Sequence, residues 1–181
     1  MREKIINKYI WNTLLYAVLV IPALMPAQTL NYKLASVFIY NFTKYVEWPP
    51  DKLSSDFVIG VYGETPLTSE LNKFITTKHV GDRTIIVKVV SSMEAAGECN
   101  ILFIPLAQSG KILEISKAIK GKPTLTVTEK PGLIKKGACI SIFLDEDDDY
   151  KTKFELNKTT ITDNGLQVAL NLLQLAARAV K

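Results

Sequence analysis

The side chains in this sequence whose chemistry could be read directly are one histidine, two cysteines and one dense run of acids. His79 stands in Lys78-His79-Val80-Gly81, just ahead of a strand-like run. One histidine cannot build a multi-histidine metal cluster, and no cysteine lies near it in sequence, so it reads as a surface loop residue. The acids Asp145-Glu146-Asp147-Asp148-Asp149 resemble a calcium loop only superficially. A 12-residue loop of the EF type needs glycine at its sixth position and a bidentate glutamate at its twelfth. Counting from Asp145 these are Tyr150 and Leu156; counting from Asp147 they are Thr152 and Lys158. Both registers fail, and the run reads as a solvated hairpin tip. There is no G-x-S-x-G elbow and no G-x-x-x-x-G-K-[ST] phosphate loop. The expectation is therefore no catalytic set, no metal and no cofactor.

Two loops are better placed to hold something small. Gly63-Glu64-Thr65 follows the first strong strand pattern, and residues 105–109 follow the third. In open α/β sheets ligands bind beyond the carboxyl ends of strands, where strand order reverses. Ser109-Gly110-Lys111 is expected to open a helix, whose free N–H groups could hold a small anion. Gly63, Glu64, Thr65, Ser109 and Gly110 are thus the candidate ligand residues, and they support an alternative reading of the chain as a small-molecule-binding domain resembling one lobe of a substrate-binding protein, although every fold of this type has such loops.

The cysteines admit two readings. An even count in an oxidising compartment invites a disulfide. Both, however, sit at the heads of apolar strand patterns, Cys99 before Asn100-Ile101-Leu102-Phe103-Ile104 and Cys139 within Ala138-Cys139-Ile140-Ser141. Cysteine often acts as a small buried hydrophobe, and a strand lying between the two would hold them too far apart to bridge. Free, buried thiols at Cys99 and Cys139 are the expectation.

The elements that must position these groups follow from periodicity. Residues 31–47 carry Leu34, Phe38, Phe42, Tyr45 and Val46 at helical steps, with Asn31 as cap and Trp48-Pro49-Pro50 as terminator. Strand patterns then alternate with helical ones: strands at 57–62, 84–90, 100–104, 124–127 and 138–144, helices at 67–76 and 109–119, a single turn within 91–98 and a loop at 131–137. This alternation predicts an α/β fold, a mostly parallel open sheet of five to six strands with helices on both faces. Residues 150–156 turn back behind the acidic tip as an antiparallel hairpin strand, expected at the sheet edge. The last element is expected to be one long apolar helix. Asn164, Gln167, Asn171, Gln174, Arg178 and Lys181 make a narrow polar stripe on it, and nearly everything else is Leu, Val or Ala. Such a helix is either buried against the sheet or shared with a second subunit, which makes a homodimer possible.

The first 27 residues read as a cleavable export signal. Arg2, Lys4 and Lys8 precede an apolar run from Thr13 to Leu24, and small residues close the segment at Pro26-Ala27. The run is too short for a spanning helix, which needs about 20 apolar residues. Residues 28–181 then form one domain, with no direct membrane insertion once the signal is removed. Losing the signal lowers the net charge from +4 to about +2. A near-neutral domain without a basic block argues against nucleic acid as partner.

The segment Tyr40-Asn41-Phe42-Thr43-Lys44-Tyr45-Val46-Glu47-Trp48-Pro49, with Lys33 ahead of it, resembles the opening motif of the YfiR/HmsC-like periplasmic proteins. Further matches follow in order at residues 57–63, 99–104, 137–143, 154–157, 165–166 and 172–176. The resemblance implies a non-enzymatic α/β domain in the periplasm of a Gram-negative cell. Its partner would be a membrane-bound signalling protein, a diguanylate cyclase or a sensor kinase, held through the periplasmic part and thereby repressed or modulated, with consequences for cyclic-di-GMP regulation. Disulfide-bearing members carry more cysteines than the two here, which sets this chain apart from any disulfide-controlled switching. Lys44, Glu47 and Trp48, off the apolar stripe or at its end, are candidate partner contacts, together with Gln167, Asn171 and Gln174 of the C-terminal polar stripe. For Trp48, packing over the sheet competes with partner contact, since tryptophan serves both purposes.

Overall fold

The structure is a computed structural model that describes residues 29–53 and 56–180; the expected signal segment lies outside them. Asn31 caps the first helix as expected, its side chain accepting the Leu34 N–H at 3.2 Å. That helix, α1, spans Tyr32–Phe42 and ends earlier than its periodicity suggests. Thr43 Oγ1 donates to the Tyr40 carbonyl, and the N–H groups of Thr43, Lys44 and Tyr45 each reach back only three residues. The tightened turn releases Val46–Glu47 as a short strand, β1. The buried stripe also sits further round than expected. Ala35, Ile39 and Phe42 are fully inside, whereas Leu34 is 40% exposed.

Five strands run parallel: β2 (Phe57–Tyr62), β4 (Arg83–Val90), β5 (Ile101–Ile104), β6 (Leu125–Thr128) and β7 (Ile140–Asp145). A two-residue β3 (His79–Val80) turns back on β4, and β8 (Lys151–Asn157) forms the expected antiparallel hairpin with β7. A final strand, β10 (Arg178–Val180), lies parallel to β8. The sheet therefore has eight strands rather than five to six, in the order β10-β8-β7-β6-β5-β2-β4-β3. A separate ribbon pairs β1 with β9 (Gln167–Val168), Val46 opposite Val168 and Glu47 opposite Gln167. Because β10 covers β8, the hairpin strand is not the sheet edge it was expected to be.

Both faces of the sheet are covered, which is why its strands read as continuous apolar runs. On one face Phe57, Ile59, Val61, Ile101 and Phe103 pack beneath α1 and α2 (Pro66–Ile75). On the other, Tyr62, Leu102 and Ile104 meet α3 (Met93–Ala96) and α4 (Ile112–Ala118).

The long C-terminal helix does not form. The chain makes α5 (Lys158–Asp163), capped by the Asn157 side chain on the Thr160 N–H, and stops. Gly165 takes φ +74°, a left-handed conformation that ends a helix and that glycine adopts without a Cβ clash. β9, the six-residue α6 (Leu170–Leu175) and β10 follow. The polar stripe is thereby broken up. Asn164 is buried, its side-chain amide donating to the Thr124 carbonyl at 3.1 Å and to Cys139 Sγ. Arg178 reaches the fully buried Glu155 at 3.2 Å. With the continuous apolar arc goes the ground for expecting a homodimer. Among the described residues no helix is long and apolar enough to cross a membrane.

Candidate functional site

The parallel strands take the order second, first, third, fourth, fifth in chain sequence. The connections leaving β2 and β5 therefore diverge to opposite faces, and a crevice opens beyond their carboxyl ends. Gly63, at φ +82°, turns the chain out of β2 while its N–H donates to the Val90 carbonyl. Thr65 then caps α2, its hydroxyl accepting the Leu67 N–H, and Pro66 occupies the first turn where no N–H is needed. Across the gap, Pro105, Leu106 and Ala107 leave β5. Glu129, one residue past β6, and Tyr32, at the start of α1, complete a crevice of about 400 Å³ that Glu64, Thr65 and Pro66 also line.

Glu129 organises this crevice. One of its oxygens, Oε1, accepts the Leu106 N–H and lies 3.4 Å from the Tyr32 hydroxyl. Its other oxygen, Oε2, is closed off from solvent and finds no partner among the described residues. The Tyr32 phenol is pushed above its usual range chiefly by burial; a hydrogen bond with Thr65 opposes the shift, and the charge and hydrogen bond of Glu129 add to it. Tyr32 therefore stays a protonated donor at neutral pH.

Of the ligand residues the sequence suggests, the structure brings Glu64 and Thr65 into the crevice wall, with Gly63 at the turn leading into it. Ser109 and Gly110 are not among the residues that line it. The chain after β5 starts as a 3-10 turn at Leu106, not as a helix at Ser109, and its first N–H is already taken by Glu129. An anion at this turn would compete with an internal carboxylate. Glu129 and Tyr32 were missed by sequence reasoning. The rule that selects residues after β2 and β5 also selects the residue after β6, so Glu129 had a signal. Tyr32 had none, because it comes from the helix preceding the whole sheet.

The partner candidates are partly assembled elsewhere. Glu47 and Gln167 face each other across the β1–β9 ribbon, which the Ala169 N–H reinforces by donating to the Tyr45 carbonyl at 2.8 Å. Both residues are exposed. Asn171 and Gln174 are exposed on α6 directly after the ribbon, together with Leu170 and Leu175, which are 66% and 64% exposed. Lys44 is exposed before the ribbon, its ammonium 4.9 Å from the centre of the Tyr40 ring. Trp48 does not belong to this surface. It is 7% exposed, stands edge-on to Phe57 at 5.0 Å and donates its indole N–H to the Asn100 carbonyl at 3.2 Å. Packing, not partner contact, accounts for it.

Cys99 and Cys139 are free and buried, with β6 between the strands they precede. Burial pushes the Cys99 thiol up to about 11 and raises that of Cys139 as well. A methyl built on Gly60 would fall 2.4 Å from Cys99 Sγ, so the β2 glycine makes room for this thiol. The acidic tip is held by lysines: Lys153 reaches Asp145 at 2.7 Å and Asp148 at 2.8 Å, and Lys151 reaches Asp148 at 2.7 Å. Among the described residues no group of histidine, cysteine and acidic side chains could hold a metal ion. His79 is exposed in β3.

These features define a small doubly wound α/β protein with a crevice at its topological switch point and an exposed ribbon-and-helix surface on one side. The chain belongs to the YfiR/HmsC-like family, whose model matches residues 32–177, as the motif around Trp48 implied. No curated protein matches it significantly. Among solved structures it is similar to a conserved domain protein from Vibrio cholerae O1 biovar El Tor, with TM-score 0.57 and 13% identity over 82% of this chain and 60% of that one. It is also similar to an ABC domain from Streptococcus pneumonia in complex with L-Trp, with TM-score 0.52 and 10% identity over 74% of this chain and 57% of that one. At these identities the likeness is one of fold. The chain spans less than two thirds of either neighbour.

Proposed function

We propose that this chain is a non-catalytic regulatory protein of the periplasm that binds the periplasmic part of a membrane signalling protein, a diguanylate cyclase or a sensor kinase, and represses or modulates it. The observation that carries this reading is membership of the YfiR/HmsC-like family across nearly all of the described chain. The ribbon and α6 supply a surface suited to it. Leu170 and Leu175 are large apolar side chains left in water on α6, which also exposes the polar Asn171 and Gln174 and follows directly on the ribbon that exposes Glu47 and Gln167. Apolar anchors within a polar rim are the usual anatomy of a protein interface.

Co-purification with the periplasmic domain of a membrane signalling protein encoded beside this chain tests the reading. Replacing both Leu170 and Leu175 by Asp is expected to weaken that binding by tenfold or more, about 1.4 kcal/mol, while thermal stability stays close to the parent because both side chains are exposed. Failure of every neighbouring receptor domain to bind would sink the proposal. Undiminished binding by the double variant would move the interface away from this surface.

A further inference from the structure

Charge is spread unevenly over this near-neutral chain. Residues 106–137 hold seven lysines against two glutamates, a net charge of +5. The rest of residues 28–181 has twelve basic side chains against fifteen acidic ones, a net charge of −3. The lysines form no contiguous block in sequence, but the fold gathers several of them. α3, α4 and the 3-10 turn Leu133–Lys136 lie side by side on one face of the sheet, because they connect β4 to β5, β5 to β6 and β6 to β7. Ile112, Ile115 and Ile119 turn inward, which leaves Leu113, Ser116, Lys117 and Lys120 as one stripe at helical steps. Ser116 marks where that stripe points. A methyl built on Gly137 would collide with its hydroxyl, so the stripe abuts the chain just after Lys135 and Lys136. Glu114 stands about 100° further round the helix than Leu113. Lys117, Lys120, Lys135 and Lys136 are all exposed, and among the described residues none of them makes a salt bridge. Leu113, in line with Lys117 and Lys120, is 55% exposed.

We infer that this face docks on a bilayer surface containing anionic phospholipid, with the four lysines over the headgroups and Leu113 reaching past them, and without spanning the bilayer. Charge complementarity calls for an anionic partner, and two features favour lipid within that class. The cluster is made of lysines, with no arginine among residues 106–137. An ammonium is a point charge that meets phosphate from any direction, whereas shaped carboxylate sites on proteins are matched by the planar fork of arginine. An apolar side chain is also left in water among these charges. Lysine stems and an exposed leucine together let a surface helix couple attraction to anionic headgroups with apolar burial at their boundary. Four lysines and one leucine give a reversible, salt-sensitive attachment, not a permanent anchor. Val46 of the ribbon and Leu172 of α6 pack into the core of the opposite face, so docking on lipid leaves the ribbon side free. The inference therefore stands or falls separately from the protein partner proposed above.

The test uses the protein purified after export and vesicles of two kinds, phosphatidylcholine alone and phosphatidylcholine with an equal part of phosphatidylglycerol. Co-sedimentation at low ionic strength is expected to show at least tenfold tighter binding to the anionic vesicles, falling steeply with added salt. Lys117→Glu combined with Lys136→Glu is expected to weaken that binding tenfold or more. Lys33→Glu combined with Lys73→Glu makes the same change in net charge on exposed residues of α1 and α2, and is expected to weaken it no more than threefold. In Leu113→Trp the new indole emission is expected to move to the blue on anionic vesicles and to stay in place with polyglutamate. Should the first pair destabilise the fold, Lys120→Glu combined with Lys135→Glu takes its place. Equal binding to the two kinds of vesicle, an equal loss in the two charge-matched pairs, or an unshifted indole overturns the inference. Polyglutamate bound as tightly as the anionic vesicles also overturns it, and gives this face to an acidic protein instead.

Discussion

Trp48 and Asn100 show how much one residue pair can settle. Asn100 donates its N–H to the Val58 carbonyl and accepts the Val58 N–H on its side chain, while its own carbonyl takes both the Leu125 N–H and the Trp48 indole. A single residue thus ties the start of β5 to β2, to β6 and to the segment entering the sheet. Trp48→Phe removes the indole donor but leaves the Asn100 carbonyl its Leu125 partner, so a loss of about 1 kcal/mol is expected in urea unfolding. Trp48→Ala also empties the space against Phe57 and is expected to cost about 3–5 kcal/mol. Binding to a signalling partner should be unchanged in the folded Phe variant; a selective loss of binding would restore Trp48 to the interface. The sequence could name both roles for this residue but not choose, because the choice rests on which strand the indole meets. The two thiols were legible for the opposite reason: an apolar strand context already says buried. Glu129 was not legible in full, since its meaning comes from Leu106 and Tyr32, brought to it by the sheet from far along the chain.

At the scale of elements, the parallel strands were readable because β2, β4, β5 and β7 each carry four or more apolar residues between turn signals, and β6 alternates Leu125 and Val127 with β-branched threonines. β1, β3, β9 and β10 were not, having two or three residues each. The C-terminal misreading has a definite cause. Polar residues at steps of three or four imitate a helix, and Gly165 with its positive φ, not the spacing, decides where the helix stops. The acidic hairpin tip was rightly read as solvent-facing, but its lysines were overlooked. Hydrogen bonds from Lys151 first, then Lys153, hold the Asp148 carboxyl down to about 2, and Lys153 likewise lowers Asp145. The depressed folded value means that this cluster contributes above the unfolded carboxyl range near pH 4 and fades as pH falls through about 2. NMR titration of the Asp148 side-chain carbon is expected to place its midpoint well below that of an ordinary aspartate. Lys151→Met should return it most of the way. Because the cluster is solvent-exposed, global stability should hardly respond; a large drop on Lys151→Met would show that the tip is part of the fold's core support.

For the molecule as a whole, the far edge of the sheet depends on one buried charge. Glu155 is fully buried in β8, and among the described residues its second oxygen is answered only by Arg178 of β10, whose own side chain is 61% exposed. Arg178→Ala leaves that oxygen without its cation and is expected to cost about 2–3 kcal/mol in urea unfolding. Hydrogen exchange should report faster opening at Ala177, whose N–H bonds the Phe154 carbonyl, before any other strand is affected. An unchanged unfolding midpoint would mean that water readily replaces the guanidinium. The β1–β9 ribbon raises a different matter, one of timing. Its two strands come from opposite ends of the described chain, and closing so long a loop is among the slower events available to a folding polypeptide. Synthesis delivers Glu47 early and Gln167 late. A receptor that reads the ribbon is therefore reading completeness: a truncated or half-threaded copy has no such surface to offer, and recognition doubles as a checkpoint on whether the whole chain has arrived.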